Sequence, residues 1–154
     1  MNADKREQRE GGFIIAKIHQ IANRIFNKML KEYGLDELNS GQGRILFALW
    51  QKDDVSIHEL SLKTQLTKST LTTMLDRLEN ASFLKREPDK DDRRIFKVKL
   101  SENSKRLQKK YEEISKKMTE VFYGTLTEEE INEFEDYLRR ILDNLIKAKD
   151  VRTN

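Results

Sequence analysis

Two helix starts stand close together in SIHELSLKTQLTKSTLTTMLDRLE, residues 56–79, and they constrain the fold more than anything else in the chain. SIHE, residues 56–59, has the form of a capping box. In that motif the serine hydroxyl accepts from a backbone N–H three residues on, and the glutamate reaches back. It opens a short helix that runs to about Lys63. Thr67 caps a second helix, whose apolar face is Leu71, Met74, Leu75 and Leu78 at three- and four-residue spacing. Only TQL, residues 64–66, lies between them, enough for a tight turn, so the pair reads as a helix-turn-helix. The segment KREPDKDDRRIFKVKL, residues 85–100, follows and carries the only proline of the chain. Phe96, Val98 and Leu100 alternate there with Lys97 and Lys99, the period of a half-buried strand. Residues 83–86 form a second short run able to pair with it, across a polar turn at 87–93. A helix-turn-helix followed by such a hairpin is a winged helix.

Long helices flank this lobe. Ile14, Ile18, Ile21, Ile25, Met29 and Tyr33 make one stripe, widened by Ile15, Ala22, Phe26 and Leu30. Gly34 stops that helix as a left-handed cap before the apolar Leu35. NSGQ, residues 39–42, caps a helix carrying Ile45, Leu46, Leu49 and Trp50. Its Gly41 and Gly43 weaken it by up to about 1 kcal/mol each relative to alanine, and they predict a close approach by another helix. Beyond the hairpin, Leu107, Tyr111, Ile114, Met118, Val121 and Thr125 step by four and three, the seam of a coiled coil. TEEE, residues 127–130, is another capping box, opening a last helix with Ile131, Phe134, Leu138, Ile141 and Leu145.

A lobe this small cannot cover three such stripes. Packing them against the same helices of a second copy can, which predicts a homodimer; a monomeric bundle is the alternative. The predicted architecture is mainly α with a small β-hairpin wing: a winged helix-turn-helix plus long dimerisation helices. The chain reads as one domain over 1–154, with the winged-helix lobe at about 37–100 and dimerisation helices at about 12–36 and 101–149. The two ends are expected to fray.

Composition removes several function classes. Charged residues make up 37% of the chain, and no apolar run approaches the roughly 20 residues of a spanning helix, so no membrane partner is expected. The N-terminal MNADKREQRE has no apolar signal core, which predicts a cytoplasmic chain. The absence of cysteine excludes disulfides, thiol nucleophiles, thiol redox sensing and cysteine-ligated metals. With two histidines, His19 and His58, and no metal-ligand cluster, no metal and no cofactor are expected. No nucleophile–base pair or phosphate-cradling glycine loop is present, so no catalytic residues are assigned. Residues 56–100 hold ten basic against seven acidic side chains in a chain of net charge +3, a slight pointer to a polyanion.

The order helix, helix, helix-turn-helix, wing, two long helices resembles the MarR family of bacterial transcription regulators over about residues 13–148. The resemblance is carried by LTKSTLTTMLDRLE (66–79) and DRRIFKVKLS (92–101), the latter similar to the family's wing pattern of aspartate, any residue, arginine, then a strand ending in Leu-Thr or Leu-Ser. It implies a two-fold dimeric regulator that binds pseudo-palindromic operators in double-stranded DNA. It also implies that a small lipophilic or anionic effector relieves that binding, with repression the commoner outcome. Three positions depart from the family pattern. Thr73 stands where the family often has arginine, so base readout differs. Gln65 stands at a helix-turn-helix position that often holds glycine, which predicts a left-handed turn. Ser104 replaces the glycine that often follows the wing.

A recognition helix presents short polar side chains to base edges in the major groove. With the apolar face inward, the outward set is Lys68, Ser69, Thr70, Thr72, Thr73 and Arg77. Ser69, Thr72 and Thr73 suit bases or thymine methyls, and Lys68 and Arg77 suit phosphate; the alternative is an ordinary exposed helix face. At the wing, Arg94 matches the family arginine and is expected to enter the minor groove, where a narrowed groove concentrates negative potential. Arg93 is expected along the backbone, and Asp92 to hold the Arg94 rotamer; a surface ion pair is the alternative. A ligand pocket near the dimer junction would use Phe13, Ile14, Phe47, Trp50 and Met74, all of which also suit a core. A protein-interaction module without specific DNA binding remains the alternative function.

Overall fold

The computed structural model describes residues 9–152; the chain ends expected to fray lie outside them. Helix α1 spans Gly11–Glu32, and its end is legible in chemistry. Gly34 sits at φ 76, Gly34 N–H donates to Lys31 O at 3.0 Å, and Leu35 N–H donates to Leu30 O at 2.8 Å. This doubly bonded left-handed cap also buries Leu30 against Leu35. Helix α2, Ser40–Gln51, opens with a complete capping box: Asn39 Oδ1 accepts from Gln42 N–H at 2.9 Å and Gln42 Oε1 accepts from Asn39 N–H at 3.2 Å.

Strand β1, Val55–Ser56, leads into α3, Ile57–Thr64; α4 follows at Lys68–Asn80. Ser56 Oγ accepts from Glu59 N–H at 3.0 Å, but the reciprocal half of the expected box is missing, because the Glu59 carboxylate accepts from Lys52 Nζ at 2.8 Å. Gln65 takes the predicted left-handed conformation at φ 56. Strands β2, Leu84–Pro88, and β3, Phe96–Leu100, form the wing, antiparallel from Leu84↔Leu100 to Pro88↔Phe96. The sheet order is β1-β3-β2. The third strand was not expected: β1 pairs only Val55↔Val98 and Ser56↔Lys97, too short for any alternation. Helices α5, Glu102–Tyr123, and α6, Glu128–Arg152, complete the order.

The structure falls into two compact units that divide after Met118. In the first, Leu30, Ile45, Leu49, Leu71, Leu75 and Ile114 are fully buried; each such side chain contributes roughly 1.5–3 kcal/mol on leaving water. Both glycines of α2 meet close neighbours, as predicted. A Cβ at Gly43 would collide with the Tyr111 hydroxyl of α5, and one at Gly41 would lie 3.0 Å from Met74 Cε of α4. Tyr111 stands between Phe26 and Trp50, with ring centroids 5.6 and 5.1 Å away, and burial pushes its phenol up to about 12. The coiled-coil seam read from the sequence is therefore partly taken up inside one chain: Tyr111 and Ile114 are core residues, and Thr125 lies beyond the end of α5. Ser104 is completely buried, its hydroxyl donating to Ser101 O at 2.8 Å at the start of α5.

In the second unit, Gly124 turns the chain at φ 53. Thr127 and Glu130 form both halves of the predicted capping box, at 3.0 and 3.2 Å. Tyr123 packs edge-on to Phe122 and Phe134 and donates to Glu135 Oε1 at 2.7 Å. Among the described residues, no helix is long and apolar enough to cross a membrane.

Candidate nucleic-acid interface

Helix α4 builds one half of the interface. Leu71, Leu75 and Leu78 anchor it in the core, and this fixes the opposite face outward. Lys68, Ser69, Thr70, Thr72, Thr73 and Arg77 are all exposed on that face. Thr67 Oγ1 accepts from Thr70 N–H at 3.3 Å and donates to Thr70 Oγ1 at 2.9 Å, closing the N-terminus. Thr72 and Thr73 donate their hydroxyls to Lys68 O at 2.8 Å and Ser69 O at 3.0 Å. Their donors are thus taken by the backbone, and what they present outward is a methyl group and acceptor lone pairs. That leaves them suited to apolar contact or to acceptance from a base, and not to donation.

The wing builds the other half. Its turn is organised by Asp89, whose Oδ2 accepts from Asp91 N–H at 3.3 Å and Asp92 N–H at 3.1 Å. Asp89 N–H donates to Ile95 O at 2.7 Å, closing the loop. At its tip Asp92 grips Arg94 three times. Oδ1 accepts from the Arg94 backbone N–H at 3.1 Å and from Nε at 3.0 Å, and Oδ2 accepts from Nη2 at 3.0 Å. The Arg94 side chain nevertheless remains 91% exposed. Bonds from the Arg94 side chain and then its backbone hold the Asp92 carboxyl below its usual value, and the same pair raises Arg94. Arg93 beside it is exposed. Arg94 is in a surface ion pair with Asp92, and that pair leaves the guanidinium facing outward.

Sequence reasoning missed what ties the two halves together. Arg86, at the base of the wing, donates Nε at 3.2 Å and Nη2 at 2.7 Å to Glu79 Oε2, its backbone N–H at 3.0 Å to Glu79 Oε1, and Nη2 at 2.6 Å to Asp76 Oδ1. Asp76 and Glu79 stand one turn apart on α4, a pattern that signals only a solvated face; nothing in spacing links them to a strand residue across a turn.

The five proposed pocket residues do not share one environment. Phe13, Ile14 and Phe47 are exposed on α1 and α2. Trp50 packs on Tyr111, with its buried Nε1 lacking a hydrogen-bond partner among the described residues, and Met74 packs at Gly41. His19 hydrogen-bonds Asn23 at 3.1 Å and His58 is exposed. No group of three or more metal-ligating side chains occurs among the described residues.

Comparison with known proteins fits this geometry. The MarR family model matches residues 38–96, the span from α2 into the wing. The HTH-type transcriptional regulator MgrA of Staphylococcus aureus is 26% identical over 139 residues, covering 90% of this chain and 88% of that protein. Among solved structures, a mutant MarR from E. coli complexed with operator DNA superposes with a TM-score of 0.77 at 24% identity, covering 85% of this chain and 92% of the other. The PcaV regulator of Streptomyces coelicolor, in complex with its natural ligand, gives a TM-score of 0.78 at 23% identity, covering 86% and 91%.

Proposed function

We propose that this chain, whose residues 38–96 match the MarR family model, is a winged-helix transcription regulator of that family, a ligand-responsive repressor acting as a homodimer on a pseudo-palindromic operator. The observation that carries the proposal is the pairing of an exposed hydroxyl- and cation-bearing face on α4 with a wing arginine held outward by Asp92. Lys68, Arg77 and Arg93 neutralise phosphates. Ser69, Thr70, Thr72 and Thr73 face base edges in the major groove, and Arg94 enters the adjacent minor groove.

Dimerisation is supported by rows of large apolar side chains left open to water in each unit. They include Phe13, Ile18 and Ile21 of α1, and Ile141, Leu142 and Leu145 of α6. Two-fold symmetry then sets the recognition helices about 34 Å apart, one turn of B-DNA. An effector that changes this spacing weakens binding, because affinity needs both lobes docked together. A cytoplasmic location agrees with a DNA partner.

Arg94→Ala and Arg94→Lys, measured on duplex from the chain's own upstream region, test the assignment. Arg94→Ala is expected to weaken specific binding by roughly 1–3 kcal/mol with Arg94→Lys recovering only part, since lysine cannot reproduce the forked contact to Asp92. Unchanged affinity in both would leave the wing as a solvated hairpin and turn attention to a protein partner for the long helices.

A further inference from the structure

The side chains of α4 assigned above to base edges are Ser69, Thr70, Thr72 and Thr73, all exposed. None has the forked amide or guanidinium that reads adenine or guanine through two bonds. Their hydroxyls are not equivalent. Thr70 Oγ1 accepts from Thr67 Oγ1 at 2.9 Å and keeps its own proton. Thr72 and Thr73 donate theirs to Lys68 O at 2.8 Å and Ser69 O at 3.0 Å. Those two bonds select one rotamer of a β-branched side chain, so each Cγ2 methyl is held in place beside an oxygen that can only accept. Asp76, the next exposed residue along this face, has Oδ1 on Arg86 Nη2 at 2.6 Å, an engagement that competes with acceptance from a cytosine amine. A T·A pair shows the major groove a thymine C5 methyl and an adenine N6–H donor, which match a fixed methyl and a lone pair. A G·C pair shows no methyl, and guanine N7 and O6 are acceptors to which Thr72 and Thr73 have no proton to give.

We propose that Thr72 and Thr73 select the half-site by the C5 methyl group of its pyrimidines, favouring thymine and 5-methylcytosine over uracil and cytosine. Each pyrimidine methyl packs against a threonine Cγ2, and both leave water. The selection rests on the DNA-binding reading above and adds to it the chemical group that α4 reads. It also makes binding sensitive to cytosine methylation, because 5-methylcytosine carries its methyl at the same place in the major groove as thymine does.

Uracil differs from thymine by the methyl alone, so single thymine-to-uracil replacements along the upstream duplex, titrated with the intact protein, test this. Replacement at a contacted thymine is expected to weaken binding about fourfold, the worth of burying one methyl group. At such a position a C·G pair is expected to weaken it further, and 5-methylcytosine to recover about fourfold over cytosine. Thr72→Ser combined with Thr73→Ser keeps the hydroxyls and removes the methyls, so uracil is expected to cost that variant nothing more. Thr72→Val combined with Thr73→Val keeps a methyl at each place, and the uracil loss is expected to remain. Suppose the upstream duplex outcompetes unrelated duplex, yet uracil is tolerated at every position or 5-methylcytosine binds no better than cytosine. Methyl selection is then overturned while the regulator reading stands. A uracil loss undiminished in the serine variant would take the selection away from Thr72 and Thr73. If the wild type shows no preference for the upstream duplex, the DNA-binding reading itself falls, and the selection with it.

Discussion

Ser82 holds a backbone conformation that serine rarely adopts. At φ 63 it follows the end of α4, with Ser82 N–H donating to Glu79 O at 3.0 Å and Phe83 N–H to Leu78 O at 2.9 Å, so that α4 turns directly into the wing. Glycine takes this conformation without the Cβ penalty, so Ser82→Gly is expected to raise stability by about 0.5–1 kcal/mol in urea denaturation. At Gly43 the sign reverses. A methyl group there meets the Tyr111 ring, which Phe26 and Trp50 hold in place, and Gly43→Ala is expected to cost about 1–3 kcal/mol. The contrast shows what residue identity alone reveals. Gly34 announced its cap because glycine is the usual occupant of a left-handed cap. Ser82 performs the same task silently, and the partner of Gly43 could be foreseen as a helix but not as Tyr111.

The elements themselves were legible where a period or a cap defines them. Asn39, Thr67 and Thr127 each open the helix they predict, and the alternation at residues 96–100 is a strand. Tertiary links were not legible, since they join residues that no period relates: β1 to β3, Asp53 Oδ1 to Leu100 N–H at 2.9 Å, and Arg86 to Glu79. The last of these fixes the wing to α4, and it gives a pH dependence. Bonds from the Arg86 backbone and then its guanidinium hold the Glu79 carboxyl below its usual 4.5. The unfolded chain therefore takes up that proton at a higher pH than the folded chain does. The stabilisation is full at neutral pH and is lost as pH falls from 4.5 through the lower folded value. Glu79→Gln is expected to be less stable than the wild type at neutral pH by on the order of 1 kcal/mol, a figure reduced for partial exposure. Stability curves measured at several pH values should converge as acid protonates the wild-type carboxyl. A gap that stays constant down to acid pH would mean the carboxylate charge contributes nothing.

The proposed function asks for two surfaces, one for a second copy and one for DNA. The apolar stripes do not all stay open: Tyr111 and Ile114 turn inward while Ile18, Ile21, Ile141 and Leu145 are exposed. Ile141→Asp replaces an exposed side chain, so it is expected to leave helicity intact while shifting sedimentation from dimer towards monomer. The same sedimentation profile for wild type and variant would remove α6 from the dimer interface. Sequence-specific DNA binding is decided by one titration: the intact chain into labelled duplex from its own upstream region and into unrelated duplex of equal length, across a salt series. Preference for the upstream duplex by roughly 10³-fold or more is expected. Affinity for both should fall steeply with salt, as phosphate contacts by Lys68, Arg77 and Arg93 require. Equal, weak binding to both duplexes, indifferent to salt, would rule out a sequence-specific regulator.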